Sequence, residues 1–534
     1  MIKCSLLFIK IYTFYIEEIL RKRFNMTVAQ IIILCTMVLY LGFMLVVGFI
    51  CSKKNNTSDD FYLGGRKLGP FVTAMSAEAS DMSSWLLMGL PGLAYLTGVA
   101  DAGWTAIGLA FGTYLNWLFV AKKLRRYSHI AGNAITVPDY FKKRYHDNSN
   151  LLLLFSAIFI IVFFIPYTAS GFAACGKLFA SLLGVDYTAA MVISAAVIVL
   201  YTATGGFLAA STTDFIQSII MSIALIIVFI FGINVAGGVD KVVANAQSLT
   251  GYLSFVHTYN PETGASSPYG FLNIATMFAW GLGYFGMPHI LLRFMAIEDA
   301  RKLTISRRVA TIWVVISLAA AVCIGIIGLA VSEAGALPIL KDSETLIVNI
   351  ASLMSSHGIL FAIIAGVILS GILASTMSTA DSQLLAASSA VSKDILGSVF
   401  NVKLSGKATL LAARLALIGV ALVAVFLARD PSSSVFGIVS FAWAGFGAAF
   451  GPVILLSLYW KRSNRWGALA GMISGAAMVF IWKYLVRPLG GLWDVYELLP
   501  AFIIALIMIV VVSLLTKAPE QAILDEFDAA MKAE

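Results

Sequence analysis

Charged residues are scarce in this sequence, and their scarcity excludes most classes of soluble protein. Asp, Glu, Lys and Arg make up 12% of the 534 residues, whereas 60% are hydrophobic. An ordinary soluble domain carries about 25% charged residues, so a water-exposed surface cannot be built over this chain. The mean hydropathy of +0.91 is that of a protein whose solvent is a lipid bilayer.

Cysteine is also rare, and several catalytic motifs are absent. The five cysteines show no CxxC or paired spacing, which argues against a disulfide framework or a zinc site; they are Cys4, Cys35, Cys51, Cys175 and Cys323. There is no GxxxxGK[ST] phosphate loop, which disfavours an ATP-driven pump. No HExxH or GxSxG motif is present either, so we interpret the chain as neither an enzyme nor a cofactor protein.

Long apolar runs make up most of the chain. About thirteen of them are long enough to cross a bilayer as helices. They occupy residues 28–51, 71–97, 102–121, 150–181, 187–204, 213–236, 268–292, 309–333, 357–391, 408–428, 434–460, 466–486 and 499–516. We therefore predict an all-α integral membrane protein with about thirteen transmembrane helices.

The distribution of basic residues between the runs supports this count. Lys and Arg cluster in the loops after odd-numbered runs, as at Lys122, Lys123, Arg125 and Arg126, and few follow even-numbered runs. Because such loops stay cytoplasmic, the pattern predicts an inner-membrane protein with its N-terminus outside and its C-terminus inside. Confinement of the basic residues to loops also explains the net charge of +8 without nucleic-acid binding.

The two ends of the chain differ from the spans. Residues 1–27 form an N-terminal extension in which Arg21, Lys22 and Arg23 would lie outside, against the charge rule. Two interpretations stay open: translation starts at Met26, or the segment is an amphipathic arm on the membrane surface. Residues 517–534 are predicted to form a short, polar and helical cytoplasmic tail.

One carboxylate lies inside the second apolar run. Asp81 stands among Ser80, Ser83 and Ser84, shortly after Glu78 and before a stretch with glycine and proline. A charge at membrane depth costs several kcal/mol unless it faces protein or water, so an acid there indicates a functional site. Small polar residues followed by glycine and proline predict a helix that breaks part-way, as in ion-coupled carriers.

Hydroxyl groups interrupt the ninth run. Ser375, Ser378 and Thr379 fall at positions i, i+3 and i+4 of one helical face, where hydroxyl and carbonyl oxygens can replace the water shell of a monovalent cation. The alternative is that these hydroxyls bond to their own helix or join neighbouring helices. Asp381 is expected nearer the cytoplasmic half, paired with Lys393 or water, and is given no coupling role.

The seventh run carries polar-edged aromatic residues. Trp280, Tyr284 and Pro288 recur at i, i+4 and i+8, so a continuous helix would present them in one stripe that suits a small organic ligand. The alternative is helix packing or interface anchoring. His289 has no second His or acid at i+3 or i+4, so we expect a hydrogen-bonded packing residue rather than a metal ligand. Tyr167 lies beside a proline in the fourth run.

Four motifs together closely resemble the sodium/proline symporters of the sodium/solute symporter family. They are LGGRKLGPFVTAMSAEASDMSSWLLMGLPG (63–92), GGFLAASTTDFIQ (205–217), AWGLGYFGMPHILLRFMA (279–296) and GILASTMSTADSQLL (371–385). The resemblance extends over roughly residues 28–516 and implies sodium-coupled secondary active import of L-proline by alternating access. The alternative is a transporter with the same fold and sodium coupling that carries another amino acid or a small carboxylate.

The resemblance also implies an architecture. The family's core consists of two inverted five-helix repeats, each of which begins with a broken helix. The first repeat would occupy residues 71–236 and the second residues 268–460. One transmembrane helix at 28–51 would precede them, and two within 466–516 would follow.

Carried over to matching positions, the resemblance implies three groups of site residues. The sodium ion would be bound by backbone carbonyls of Ala79, Met82 and Ser375 and by hydroxyls of Ser378 and Thr379. Coupling would involve Asp81, Ser83 and Asp214, with Arg66 at another polar position linked to transport. Proline or a similar small zwitterion would contact Ser84, Trp85, Tyr167, Trp280, Tyr284 and Pro288. Sodium is the expected coupling ion, with no cofactor and no obligate protein partner.

Two positions depart from the family pattern. Ser84 stands where these symporters usually have glycine, and its side chain would narrow the space beside the substrate. Glu78 replaces a small residue, and a second acid near Asp81 would raise the cost of ionising both. We expect Glu78 to face a vestibule on one side of the membrane.

Overall fold

The computed structural model describes residues 26–52, 62–402 and 406–532. Nine helices within these residues are long and apolar enough to cross a membrane, and three shorter apolar helices accompany them. The all-α membrane architecture is therefore confirmed, while the figure of about thirteen spans stays a prediction. Almost all of the proposed N-terminal extension lies outside the described residues.

The first half of the chain contains one leading helix, the helices within the predicted first repeat and one short helix beyond it. The helices are α1 (Val28–Ser52), α2 (Pro70–Asp81), α3 (Leu90–Thr97), α4 (Val99–Leu115), α5 (Lys122–Ile130), α6 (Val137–Arg144), α7 (Leu151–Leu183), α8 (Tyr187–Gly205), α9 (Phe207–Val235) and α10 (Val239–Ser248). A short hairpin follows, in which β1 (His257–Tyr259) pairs antiparallel with β2 (Ser266–Pro268).

The second half contains the second repeat, two further long helices and a tail. The helices are α11 (Phe271–Phe278), α12 (Pro288–Ala296), α13 (Leu303–Glu333), α14 (Leu346–Ser355), α15 (Ile359–Ser389), α16 (Gly406–Leu427), α17 (Val435–Tyr459), α18 (Arg465–Ile481), α19 (Leu498–Leu515) and α20 (Gln521–Lys532). The helix α20 confirms the predicted helical tail.

The second apolar run is interrupted as predicted. Helix α2 ends at Asp81, and Met82 leaves helical geometry with φ −74° and ψ 67°. The chain then resumes through a π-helical turn at Trp85–Gly89 into α3, which has Pro91 in its first turn. Proline has no amide hydrogen and is tolerated where a helix begins, so this sequence favours a restart at this point.

The seventh run is also interrupted, but not in the way its periodicity indicated. The segment Ala279–Gly286 is a 3₁₀ helix, and Met287 is extended before α12 begins at Pro288. The predicted single α-helical stripe of Trp280, Tyr284 and Pro288 is therefore wrong. Glycines explain the difference: a Cβ at Gly283 would overlap the indole of Trp443, so the backbone of the 3₁₀ segment approaches α17 more closely than an ordinary helix would.

The packing follows the inverted repeat. In each repeat the interrupted first element contacts the last helix: α2 packs on α9, and the 3₁₀ segment packs on α17. Helix α15 crosses the centre of the molecule and contacts α1, α2, α7 and α9. This arrangement places the break after α2 beside the hydroxyl-bearing face of α15 and opposite the second break.

Candidate functional site

A short hydrogen bond joins the last turn of α2 to α15. Ser378 Oγ donates to the carbonyl oxygen of Ala79 at 2.7 Å and lies 3.1 Å from the carbonyl oxygen of Ser375. Thr379 Oγ1, one residue further along α15, is buried and has no hydrogen-bond partner among the described residues. The structure therefore brings together Ala79, Ser375 and Ser378, with Thr379 next to them. Met82 adjoins them at the break.

Asp81 links the break to aromatic residues on other elements. Its side-chain Oδ2 accepts a hydrogen bond from the Tyr284 phenol at 2.7 Å. Its carbonyl oxygen accepts from Trp85 Nε1 at 3.1 Å and from the Tyr167 phenol at 3.2 Å. The backbone amide of Trp85 lies 3.4 Å from Ser83 Oγ, which helps to shape the turn. Asp81 thus joins the predicted coupling residues to the predicted substrate residues.

Aromatic rings surround Trp280. Its ring centre lies 4.8 Å from that of Phe436, 5.3 Å from that of Tyr496 and 6.3 Å from that of Trp85. The backbone oxygen of Trp280 accepts a 2.7 Å bond from Trp443 Nε1. Large rigid rings with polar edges suit a small, partly apolar ligand.

Two of the predicted substrate residues, Ser84 and Pro288, are not part of this aromatic group. Ser84 is buried beside Trp85, and its hydroxyl has no hydrogen-bond partner in the described parts of the chain. Pro288 is the first residue of α12, where its fixed φ starts the helix. Ser84 therefore has a hydroxyl available to a ligand, whereas Pro288 has an evident structural role.

Glu78 does not face a vestibule, so that expectation is wrong. Its side chain is 1% exposed, and Oε1 accepts a 2.8 Å hydrogen bond from Trp117 Nε1. The neighbouring Asn116 donates to the backbone oxygen of Tyr284 at 2.9 Å. Both contacts come from the π-helical turn Asn116–Ala121 between α4 and α5. This turn therefore holds both interrupted segments through hydrogen bonds.

Asp214 belongs to a buried network whose cation the sequence interpretation missed. Arg293 Nη2 lies 3.0 Å from Asp214 Oδ2, which also accepts from Ser76 Oγ at 2.7 Å. Arg293 donates in addition to the hydroxyl of Ser382 on α15. The network therefore connects α2, α9, α12 and α15. Arg293 stands in one of the quoted motifs, but only the tertiary fold shows its partner.

Three further polar residues from the sequence analysis, Asp381, His289 and Arg66, have different surroundings. Asp381 accepts from Ser382 Oγ at 3.2 Å, and its Oδ2 has no hydrogen-bond partner in the ranges described. The ring centre of His289 lies 5.7 Å from that of Phe164. Neither nitrogen of the His289 ring has a hydrogen-bond partner among the residues described, so the predicted hydrogen-bonded packing residue is wrong in its hydrogen bond. Arg66 donates to Asn133 Oδ1 and to the Ala134 carbonyl, in the connection between α5 and α6.

The fold and the site define a class of protein. The structure has two interrupted helices in inverted repeats. The first interrupted helix contacts both a hydroxyl-bearing helix and an aromatic chamber. These are the features of an ion-coupled secondary transporter. A family model described as the sodium:solute symporter family matches residues 61–475. The chain belongs to this family.

Characterised relatives extend over nearly the whole chain. It is 45% identical to the high-affinity proline transporter PutP of Bacillus subtilis, an alignment that covers 91% of this chain and 98% of the relative. It is 43% identical to the osmoregulated proline transporter OpuE of the same organism, with 92% and 96% covered. The sodium/proline symporter of Escherichia coli is 42% identical, with 93% and 96% covered.

Solved structures share the fold. A Na⁺-coupled sialic acid symporter in a substrate-bound outward-open state aligns with a TM-score of 0.75 and 18% identity, over 92% of this chain and 99% of that one. The nucleobase-cation-symport transporter MHP1 aligns with a TM-score of 0.53 and 15% identity, over 89% and 99%. These similarities confirm the transporter architecture.

Proposed function

We propose that this protein imports L-proline together with sodium across the inner membrane, with its N-terminus outside and its C-terminus in the cytoplasm. The observation that carries the proposal is the contact of Ser378 Oγ with the Ala79 carbonyl at the break after α2. The chain is 45% identical to a protein named as a proline transporter and 42% identical to one named as a sodium/proline symporter, which supports the choice of cargo.

The sodium ion would bind between the break and α15. Carbonyl oxygens of Ala79, Met82 and Ser375, with the hydroxyls of Ser378 and Thr379, form an all-oxygen set of the kind that hard cations prefer. The Ser378 hydroxyl donates to the Ala79 carbonyl, and rotation of its hydrogen would turn a lone pair toward sodium. Binding there would fix the end of α2 and so the position of Asp81.

Proline would bind on the other side of the break. Its ring would pack against Trp85 and Trp280, and Tyr167 and Tyr284 would limit the chamber. Its carboxylate would meet the amides exposed at the break and the hydroxyl of Ser84, which has no hydrogen-bond partner in the described chain. Because Tyr284 is bonded to Asp81, sodium and proline would favour the same arrangement of the two interrupted helices.

The coupling supplies enough free energy for accumulation. One sodium ion crossing ~100 mV inward releases about 2.3 kcal/mol. A tenfold sodium gradient adds about 1.4 kcal/mol. Their sum corresponds to accumulation of several hundredfold, which suits a nutrient or an osmolyte.

The test is uptake of labelled proline into proteoliposomes that contain the purified full-length chain. We expect saturable uptake above equilibrium when an inward sodium gradient is imposed, and little uptake with potassium. A panel of unlabelled amino acids and small carboxylates added as competitors identifies the preferred cargo. Uptake that is driven by sodium but blocked only by another solute would replace proline as substrate. Uptake that never exceeds equilibrium would refute active transport.

A further inference from the structure

A cavity of about 980 Å³ lies beside the tail, between the end of α6, the start of α18 and the chain that follows α19. Hydrogen bonds fix its walls to one another. The Tyr145 phenol lies 2.9 Å from Ser463 Oγ, which joins the residue after α6 to the connection before α18. Asn464 Nδ2 donates to Thr516 Oγ1 at 2.7 Å and to the Lys517 carbonyl oxygen at 2.8 Å. These bonds hold the start of the tail against α18, so the shape of the cavity is fixed by the fold.

Five basic side chains line this cavity, and three of them have no acidic partner. Lys143 Nζ lies 2.9 Å from Asp139 Oδ2, and His146 Nε2 lies 3.1 Å from Glu526 Oε2. The other three form no ion pair with an acid in the described ranges; they are Lys142, Arg465 and Lys517. Three cations without a counter-ion around one cavity favour an anionic ligand.

The acids that line the cavity leave this preference in place. They are Asp147, Glu520 and Glu526, against four lysine and arginine side chains, so one positive charge is in excess. The carboxylate of Asp147 is buried and accepts from the backbone amides of Ser149 and Leu152 at 3.1 and 2.9 Å. Asp147 therefore holds its own loop, and Glu526 is engaged by His146.

The start of α18 adds backbone donors. The first amides of an α-helix have no partner within the helix. The Asn464 side chain caps the Gly467 amide at 3.0 Å, which leaves the amides of Arg465 and Trp466 for another acceptor. Both residues line the cavity. The positive end of the helix dipole therefore reinforces the three cations.

One border of the cavity is apolar and exposed. Trp466 and Leu515 line it, and they are 43% and 81% exposed. Trp466 is at the start of α18 and Leu515 at the end of α19, two of the helices that are long and apolar enough to cross a membrane. The Arg465 guanidinium carbon lies 4.9 Å from the Trp466 ring centre. The cationic part of the cavity is therefore adjacent to a lipid-facing surface, at the level where tryptophan marks the membrane boundary.

We propose that this cavity binds the head group of an anionic phospholipid of the phosphatidylglycerol type. The phosphate lies between Arg465, Lys517 and the first amides of α18, and the acyl chains follow Trp466 and Leu515 into the bilayer. Basic pockets between transmembrane helices on the cytoplasmic side suit such head groups. The assignment to the inner leaflet rests on the orientation under Proposed function.

The bound lipid connects two parts of the transporter. Lys142 is on α6, within the predicted first repeat, whereas α18 and α19 follow the second repeat. A free phosphate ion offers the same charge, but it would not contact the apolar border. The cavity volume is also at the upper end of the range of about 300–1,000 Å³ that holds drug-sized ligands, so an ion alone would leave most of it unfilled.

The experiment is native mass spectrometry of the detergent-purified, delipidated full-length transporter, titrated with phosphatidylglycerol or phosphatidylcholine. We expect one phosphatidylglycerol to bind several-fold more tightly than phosphatidylcholine, whose ammonium group cancels the phosphate charge. Each basic residue near an anionic lipid contributes about fivefold in affinity. Arg465→Gln combined with Lys517→Gln should therefore weaken phosphatidylglycerol roughly tenfold or more. Lys517 is exposed in the tail, so Lys517→Gln alone, with an expected loss of about fivefold, decides the matter if the double variant does not fold.

A matched control removes the same number of charges elsewhere. Arg301 and Lys302 are exposed, do not line the cavity and are predicted on the same side of the membrane. Arg301→Gln combined with Lys302→Gln should leave phosphatidylglycerol affinity unchanged. Phosphatidylglycerol should also raise the melting temperature of the wild type and of this control, but not that of Arg465→Gln with Lys517→Gln, because a ligand stabilises only the protein that binds it.

Water-soluble competitors separate a lipid from a free anion. Inorganic phosphate and glycerophosphoglycerol, the head group without acyl chains, should not displace phosphatidylglycerol at a tenfold excess. Displacement by either one overturns the lipid as occupant and identifies a site for a soluble anion. Equal affinity for the two lipids, or equal losses in the cavity variant and the control variant, overturns the site. All of these measurements are made without proline and sodium, so their failure leaves the proposed function intact, and failure of proline uptake leaves the lipid site intact.

Discussion

The phenol of Tyr284 donates a 2.7 Å hydrogen bond to Asp81 Oδ2 and so joins the two interrupted helices directly. Asp81 is the last residue of α2, and Tyr284 lies in the 3₁₀ segment before α12. Each repeat therefore supplies one side of the contact. Under the proposed mechanism, sodium that fixes the end of α2 also positions a wall of the proline chamber.

Replacement of Tyr284 by Phe tests this connection. The change removes one hydroxyl and keeps the ring, so packing against Trp443 persists. A hydrogen bond to a charged group contributes about 1.5–3 kcal/mol, so we expect the half-saturating sodium concentration for proline uptake to rise roughly tenfold or more. Tyr252→Phe is the matched control, because Tyr252 is buried and donates to the Ala94 carbonyl. An unchanged sodium dependence in Tyr284→Phe contradicts the connection.

Ser378→Ala tests the predicted sodium site. It removes the hydroxyl that meets the Ala79 carbonyl, and with it one of the proposed ion ligands. We expect the half-saturating sodium concentration to rise several-fold while the maximal rate is recovered at high sodium, since the other oxygen ligands remain. Ser388→Ala serves as the control on the same helix, because the Ser388 hydroxyl donates to the Leu385 carbonyl of its own helix. The same shift in both variants would indicate a general effect on α15.

Local chemistry accounts for what the sequence predicted well. The break after α2 follows from serine, glycine and proline close together. Such signals act over a few residues and can be recognised without the fold. The 3₁₀ form of the second break was not predicted, because it depends on the close approach of the Gly283 backbone to Trp443 on another helix.

Long-range contacts account for what the sequence did not predict. Arg293 and Asp214 are 79 positions apart, and nothing near either residue identifies the partner. The same holds for Trp117 and Glu78, whose hydrogen bond places that acid in the interior instead of a vestibule. Hydropathy locates these residues in helices but cannot assign which helical faces meet.

The buried pair of Arg293 and Asp214 gives a prediction about stability. Both side chains are at most 1% exposed, so removal of one charge leaves the other without compensation, at a cost of about 3–5 kcal/mol. We expect Arg293→Met and Asp214→Leu each to lower the apparent melting temperature of the purified protein. The double variant should recover much of the loss, because apolar residues can replace a buried ion pair. A double variant whose loss equals the sum of the single losses contradicts the pairing.

The C-terminal helix α20 contributes to an aromatic cage around a buried cation. The Arg144 guanidinium carbon lies 4.9 Å from the ring centres of both Tyr127 and Tyr145, and 5.3 Å from that of Phe527 on α20. Arg144 is fully buried. Because Phe527 closes one side of the cage, loss of its ring exposes a cation and removes a buried apolar contact of the tail.

We therefore expect Phe527→Ala to release α20 from the transporter. Limited trypsin digestion of the purified protein should cut after Lys517 several times faster than in the wild type, as measured by intact mass. Asp525→Ala is the control, because Asp525 is exposed on the same helix and accepts a hydrogen bond from Gln521 within it. Ion pairs of the tail, such as that between Lys461 and Asp528, are exposed and contribute little. Equal cleavage rates in Phe527→Ala and the wild type would contradict the role of the Phe527 ring in holding the tail.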